Sequence, residues 1–282
     1  MKNIILQDGV LFDLDIGWWS ARKKLNAKDL KLKNVPDIFS LGAKYLVKKE
    51  HRKVFANIEC KARRALRQWS FDFPLGGITF VHKNQVKKVN AELVKIKSDF
   101  LIERDKFLEN YESYKNEILQ KYPTLAKTYE GIYPPADGIR EKFSFEWAVF
   151  RFSLPEEREY LEAAKKKIDD FVANVVKDLR EQITYALSKL FSKKRDVVTK
   201  RSLERLAKTI DRLGQMNFVN DTCISHAIEE LKTELDVPHK AINENASLKS
   251  VLKNKVKELL KEAADTSDID KVTGTYKRKL MM

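Results

Sequence analysis

Phe143-Ser144-Phe145-Glu146-Trp147-Ala148-Val149-Phe150-Arg151-Phe152 stands between two long amphipathic stretches, Gln85 to about Tyr122 and Glu156 to about Phe191. At a rise of about 1.5 Å per residue, each stretch would span on the order of 55 Å as a helix, longer than a core of this mass requires. Val89, Phe100, Tyr111 and Tyr122 recur every eleven residues, as do Ile96, Phe107 and Ile118. That period matches about 3.67 residues per turn, a straight or slightly right-handed helix rather than a heptad seam. In the second stretch Leu161, Ile168, Phe171, Val172, Val175, Leu179, Ile183, Ala186, Leu187 and Leu190 form the answering stripe, and Pro155-Glu156-Glu157 supplies an acidic first turn. The expectation is a mainly α protein built on a long antiparallel helical hairpin, a coiled-coil-like rod whose two stripes bury each other, with the aromatic segment as an extended insert at its tip.

Toward the N-terminus, Asp8-Gly9 separates Ile4-Ile5-Leu6 from Val10, Phe12, Leu14, Ile16 and Trp18, which alternate with Asp13, Asp15 and Gly17. A D-G turn followed by period-two alternation predicts a β-hairpin. Pro36 can open a short helix through Tyr45. A second helix from about Lys48 to Trp69 carries Phe55, Ile58, Ala62, Ala65, Leu66 and Trp69 on one face. Phe71-Asp72-Phe73-Pro74-Leu75-Gly76-Gly77 ends it, and Ile78-Thr79-Phe80-Val81 has the β-branched and aromatic content of a strand returning to the hairpin. The predicted domains are a basic α+β head (1–84), the helical hairpin (85–192, insert 123–155), a C-terminal helical bundle (193–264) and a polar tail (265–282). The bundle follows a solvated turn at Ser192-Lys193-Lys194-Arg195-Asp196. Its helices run from about Ser202 to Leu213, Asp221 to Leu235 and Ser247 to Ala264, with Asp221 and Ser247 as N-caps.

The net charge of +14 is concentrated. Between Ala21 and Gln68 stand fifteen Lys and Arg against four acids. Such a segment suits polyanions, because neutralising phosphates releases condensed counterions and gives a salt-dependent affinity. Arg22, Lys23, Lys24, Lys48, Lys49, Arg52, Lys53, Lys61, Arg63, Arg64 and Arg67 are the candidate nucleic-acid-binding residues. The competing reading is a solvated helix face that keeps a basic protein soluble. The aromatic insert offers Phe143, Phe145, Trp147, Phe150 and Phe152 as candidate partner-binding residues. Three ends are open to it: packing back on the helices, docking on a partner, or entering a membrane as in helical pore-forming proteins. Glu146 and Arg151 interrupt the apolar surface and count against the membrane. A rod also leaves homo-oligomer formation open.

Few chemistries find a seat. The chain is 43% apolar and 34% charged, as expected of a folded helical protein rather than a disordered one. No apolar run approaches the roughly 18 to 20 residues that cross a bilayer, and the first residues do not form a secretory signal, so cytoplasmic residence is expected. Cys60 and Cys223 have neither disulfide-framework nor zinc spacing. His51, His82, His226 and His239 are dispersed, and Asp13 with Asp15 lacks a third ligand nearby. Gly76-Gly77 is not a phosphate cradle, and no serine sits in a GxSxG setting. The expectation is a protein that is not an enzyme, with no cofactor and no metal.

One resemblance is carried by Gly9-Val10-Leu11-Phe12-Asp13-Leu14-Asp15-Ile16-Gly17-Trp18-Trp19-Ser20-Ala21-Arg22-Lys23-Lys24-Leu25, Asp29-Leu30, Ser40-Leu41-Gly42, Ala62-Arg63-Arg64-Ala65-Leu66 and Phe73-Pro74-Leu75-Gly76-Gly77. This pattern resembles an uncharacterised family of phage- and plasmid-encoded proteins over most of the chain. The resemblance implies a gene setting near MoxR-type AAA+ ATPases, von Willebrand A proteins and phage recombination functions, and hence an AAA+ ATPase or von Willebrand A protein as an expected partner. It brings no catalytic residues.

Overall fold

The computed structural model describes residues 8–30, 32–33, 35–36, 38–123, 126, 131–190, 199–235, 241 and 244–265. The expected Ile4-Ile5-Leu6 strand, the Ser192 to Asp196 turn and tail residues 266–282 lie outside them. Along the chain come β1 (Gly9–Gly17), β2 (Arg22–Lys24), β3 (Ala43–Tyr45), α1 (Lys49–Arg67), β4 (Ser70–Asp72), β5 (Ile78–His82), α2 (Lys83–Glu109) and α3 (Tyr111–Lys121). They are followed by α4 (Ala136–Arg140), β6 (Ser144–Phe150), α5 (Arg158–Leu190), α6 (Lys200–Met216), α7 (Thr222–Leu235) and α8 (Ala246–Ala264). One sheet has strand order β4-β5-β1-β6, and β2 with β3 forms a separate two-stranded ribbon. The division into compact units is not the linear head, hairpin and bundle. One unit takes residues up to Leu11, Phe71–Lys83 and those from Phe150 on; the other takes Phe12–Ser70 and Asn84–Val149.

The expected rod does not form: the fold is a mixed assembly of helices and sheet, and its two long helical stretches belong to different units. Each buries its stripe against other partners. In the unit of α1 to α4, the Phe55 ring of α1 lies 5.8 Å from Phe100, 5.7 Å from Phe107 and 4.8 Å from Phe143, centroid to centroid. Trp19 meets Phe107 and Tyr111 edge-on at 6.0 and 5.6 Å, which closes an aromatic core in the geometry such rings prefer. The eleven-residue period described straight helix but not what would cover it. The first stretch is also broken at Asn110, whose amide Nδ2 donates to the Lys106 carbonyl at 2.8 Å, competing with the helical ladder.

In the other unit α5 packs against α6 and α8. Its stripe of Ile168, Phe171, Val172, Val175, Val176, Leu179, Ile183 and Leu187 is buried, as are Leu203, Leu206, Ile210 and Leu213 of α6 and Leu252, Val256 and Leu259 of α8. Helices α6 to α8 match the predicted bundle helices to within a few residues, with α5 as a fourth member. Phe171 also meets Phe73 and Phe80, at 5.1 and 5.3 Å. The Phe80 ring fills the space where a side chain at Gly9 would begin, so glycine is required there. Arg180 of α5 is 2% exposed and Asp221, ahead of α7, is 0% exposed. The guanidinium donates from Nε to Asp221 Oδ2 (2.7 Å), from Nη2 to Oδ1 (3.1 Å) and from Nη1 to the Asp265 carbonyl (2.6 Å). Asp221 Oδ1 also accepts from the Cys223 amide at 2.9 Å, which caps α7.

The helix expected from Pro36 to Tyr45 is replaced by β3, which pairs antiparallel with β2 in the register Arg22↔Tyr45, Lys23↔Lys44 and Lys24↔Ala43. Leu46 N donates to Ala21 O at 2.9 Å and Leu25 N to Gly42 O at 3.1 Å, extending the ribbon at both ends. Gly42, at φ 81°, adopts a conformation that glycine allows without strain and a helix does not. The Lys44 ammonium lies 2.7 Å from Asp29, both side chains 6% exposed, so the ribbon's inner face is fixed by an ion pair from its own connection. The Lys44 hydrogen bond, then the Asn26 amide, holds the Asp29 carboxyl below its ordinary value.

Candidate nucleic-acid interface

Helix α1 follows from one apolar stripe: Phe55, Ile58, Ala62 and Leu66 are buried. At about 100° per residue, Lys49, Lys53, Cys60, Arg64 and Arg67 fall within an arc of roughly 60° on the opposite face. All five are exposed, and the two acids of the helix, Glu50 and Glu59, lie off this arc. From Lys49 to Arg67 the ridge runs about 27 Å, on the order of eight phosphates of one strand.

The eleven predicted contact residues do not share one fate. Among the described residues, Arg22, Lys23, Lys24, Lys49, Lys53, Arg64 and Arg67 are exposed and make no ion pair. Arg64 donates to Cys60 Sγ at 3.8 Å. Three are paired: Lys48 with Glu117 of α3 at 3.0 Å, Lys61 with Asp99 of α2 at 2.9 Å, and Arg63 with Glu59 at 2.9 Å. Glu59 also accepts from Trp18 Nε1 at 2.9 Å, which ties its carboxylate to the core edge. The Lys61 pair is open to solvent, 61% and 55% exposed, where such contacts contribute little. Arg52 is half-buried with its guanidinium carbon 3.8 Å above the Tyr45 ring centroid. That contact joins the ribbon to the helix, and no signal in the sequence pointed to it.

The aromatic insert divides as well. Phe143 and Phe145 are 8% and 2% exposed in the core around Phe55 and Phe100, so they are not available to dock a partner. Trp147 is partly covered and donates from Nε1 to Asn90 at 3.1 Å; Phe152 is partly covered by Phe73, at 5.0 Å, and Phe150 is exposed. Packing back against the fold, rather than display at a tip, accounts for the strand's inner half.

Elsewhere, His51 stacks on Tyr114 at 3.7 Å with Glu117 3.2 Å from Nε2, and His226 lies 3.1 Å from Glu262. His82 stacks on Phe218 at 5.6 Å, and burial pushes its ring below the ordinary value. His239 lies outside the described residues. Among the described residues no group of three or more His, Cys, Asp or Glu is placed to hold a metal, and no helix is long and apolar enough to cross a membrane. A groove of about 880 Å³ between α5 and α6 mixes Asp178 and Glu181 with Lys189, Arg205, Lys208 and Arg212. Its serine, Ser202, is engaged in capping α6: Oγ accepts from Thr199 N at 3.0 Å and donates to Thr199 O at 2.7 Å.

The fold and surface thus define a mixed helix-and-sheet protein with a cationic ridge on one helix. The chain belongs to the DUF3150 family, described as a protein of unknown function, whose model matches residues 6–265. That match covers nearly the whole chain but carries no activity, source or gene setting with it. No curated protein and no solved structure matches the chain.

Proposed function

We propose that this protein is a non-enzymatic accessory factor that binds nucleic acid through the outer face of α1 and the neighbouring ribbon. One observation carries the reading: Lys49, Lys53, Arg64 and Arg67 lie on one exposed arc without a carboxylate partner among the described residues. A face kept merely for solubility gains nothing from holding its cations on one line, whereas a phosphate backbone is a line of charges. A role in DNA metabolism or host takeover, in the cytoplasm of a cell carrying a phage or plasmid, is the setting that the family resemblance suggests for such a factor.

The test is binding of a labelled oligonucleotide by the full chain at several salt concentrations. The variant Lys53→Glu/Arg64→Glu/Arg67→Glu should weaken binding and flatten the dependence of log K on log salt by roughly 0.7 to 0.9 for each phosphate no longer neutralised. These side chains are exposed, so helix content by circular dichroism should stay the same. Unchanged affinity in that variant would refute the assignment. Failure of the wild type to bind, together with recovery of an ATPase on affinity purification, would favour the adaptor role beside an AAA+ ATPase and von Willebrand A protein.

A further inference from the structure

In an antiparallel pair, residues directly opposite one another place their side chains on the same face. Arg22 faces Tyr45 and Lys24 faces Ala43, so Arg22, Lys24 and Tyr45 share the ribbon's outer face, while Lys44, one residue on, turns inward to Asp29. Tyr45 remains 46% exposed although Arg52 covers part of it. A tyrosine that closes a core is buried but for its hydroxyl rim; this residue is nearly half exposed with a guanidinium against its ring. The connection between β2 and β3 adds a second displayed aromatic, Phe39, 62% exposed.

We infer that the β2–β3 ribbon is a stacking platform for unpaired bases and that the ligand of the α1 ridge is single-stranded nucleic acid rather than duplex. This rests on the ridge binding phosphate at all, and narrows what it takes. An open aromatic face is useless to a duplex, whose bases are already stacked, but gives a single strand base-stacking contacts regardless of sequence. Arg52 beneath the ring fixes its orientation, and its cation adds to the local positive field. Arg22 and Lys24 share the ring's face of the ribbon, and Arg52, stacked on the ring, lies one turn along α1 from Lys49 at the start of the ridge. Cations therefore stand on the same ribbon face as the aromatic ring.

The experiment measures fluorescence anisotropy of the full chain with labelled oligothymidine and with a mixed-sequence duplex of equal length, each about 20 nucleotides long, and co-sedimentation with vesicles of phosphatidylserine and phosphatidylcholine, all at about 50 and 200 mM salt. The wild type should bind the single strand more tightly. Tyr45→Ala should lose roughly 5- to 150-fold on the single strand, as expected for one base–aromatic stack, with little change on the duplex. Because no cation is removed, its salt dependence should match wild type, whereas Arg64→Glu/Arg67→Glu should flatten it. Tyr45→Phe and Tyr45→Trp should keep the preference. If Tyr45→Ala loses helix or strand signal by circular dichroism, Tyr45→Leu, apolar but without a π face, carries the comparison. Equal loss on both polymers, no loss on the single strand, or a wild-type preference for duplex or for anionic vesicles overturns the platform. In the first three of these outcomes the ridge reading stands if Arg64→Glu/Arg67→Glu still weakens binding; absence of wild-type binding to either polymer at low salt removes both.

Discussion

Replacing Asp221 with alanine should unfold the α5–α8 unit more easily than any exposed substitution can. Arg180 and Asp221 are 2% and 0% exposed, and their bidentate contact spans 2.7 and 3.1 Å. Without the carboxylate, the guanidinium stays in the interior and loses its bidentate contact while keeping the one to the Asp265 carbonyl. Removing one member of a buried, hydrogen-bonded charge pair costs about 3–5 kcal/mol, of which the missing cap of α7 accounts for about 1. Arg180→Met leaves the carboxylate with the Cys223 amide and the N-terminal end of α7 as compensation, so its cost should be smaller, roughly 2–3 kcal/mol. Arg180→Met/Asp221→Asn removes both charges, and a neutral pair in such a site is far less costly than half a charged one. The double variant should therefore be more stable than Asp221→Ala alone. Urea unfolding followed by circular dichroism at 222 nm, with Asp221→Asn completing a double-mutant cycle, measures the coupling. A coupling energy near zero, or a cost below about 1 kcal/mol for Asp221→Ala, would show that the pair does not hold these helices as described.

Three further outcomes follow from the other contacts. Phe55→Ala should destabilise the α1–α4 unit by about 3–5 kcal/mol, because the ring lies against Phe100, Phe107 and Phe143. All four tryptophans (Trp18, Trp19, Trp69 and Trp147) lie in that unit, so their emission should follow the loss, and an unchanged urea midpoint by fluorescence would contradict it. His82, pushed below its ordinary value of 6.5 by burial, contributes full stability above that value; as pH falls the unfolded chain takes up the proton more readily, and stability is lost toward the lower folded value. His82→Phe should flatten unfolding midpoints between pH 7.5 and 5.5, a span of about two units around the free imidazole value, and an identical slope in the variant would exclude His82 as the source. Asp29→Asn should loosen the ribbon, seen as faster amide exchange at Leu25 and Leu46; unchanged exchange would mean that the Lys44 pair does not hold it.

The sequence disclosed local features better than partners. Helix α1 and helices α6 to α8 follow from apolar residues spaced three and four apart, and β5 from a short β-branched run preceded by glycines. The pairing of stripes was not legible, because Val89, Phe100 and Tyr111 specify a straight buried face without saying whether Phe171 or Phe55 will cover it. Arg180 did leave a trace: with Val176, Ile183 and Leu187 it falls on one buried stripe, and a cation there requires a counter-charge. The cations of the candidate site were legible by sign and helical phase. Their neutralisation by Glu117 and Asp99 was not, since those acids come from elements far along the chain, and neither was the Tyr45–Arg52 contact, because the stretch before α1 was expected to be helical.

The interleaving of the two units sets an order of events at the ribosome. Every residue of the unit bearing the ridge, from Phe12 through Val149, is synthesised before the first helix of the bundle. Phe71, Phe73 and Phe80 emerge early as well, yet the rings that cover them, Phe152, Phe171 and Phe218, come later. Until translation passes Phe218 the nascent chain carries an uncovered aromatic strand pair, a surface of the kind that chaperones bind and that associates with other copies when synthesis stalls.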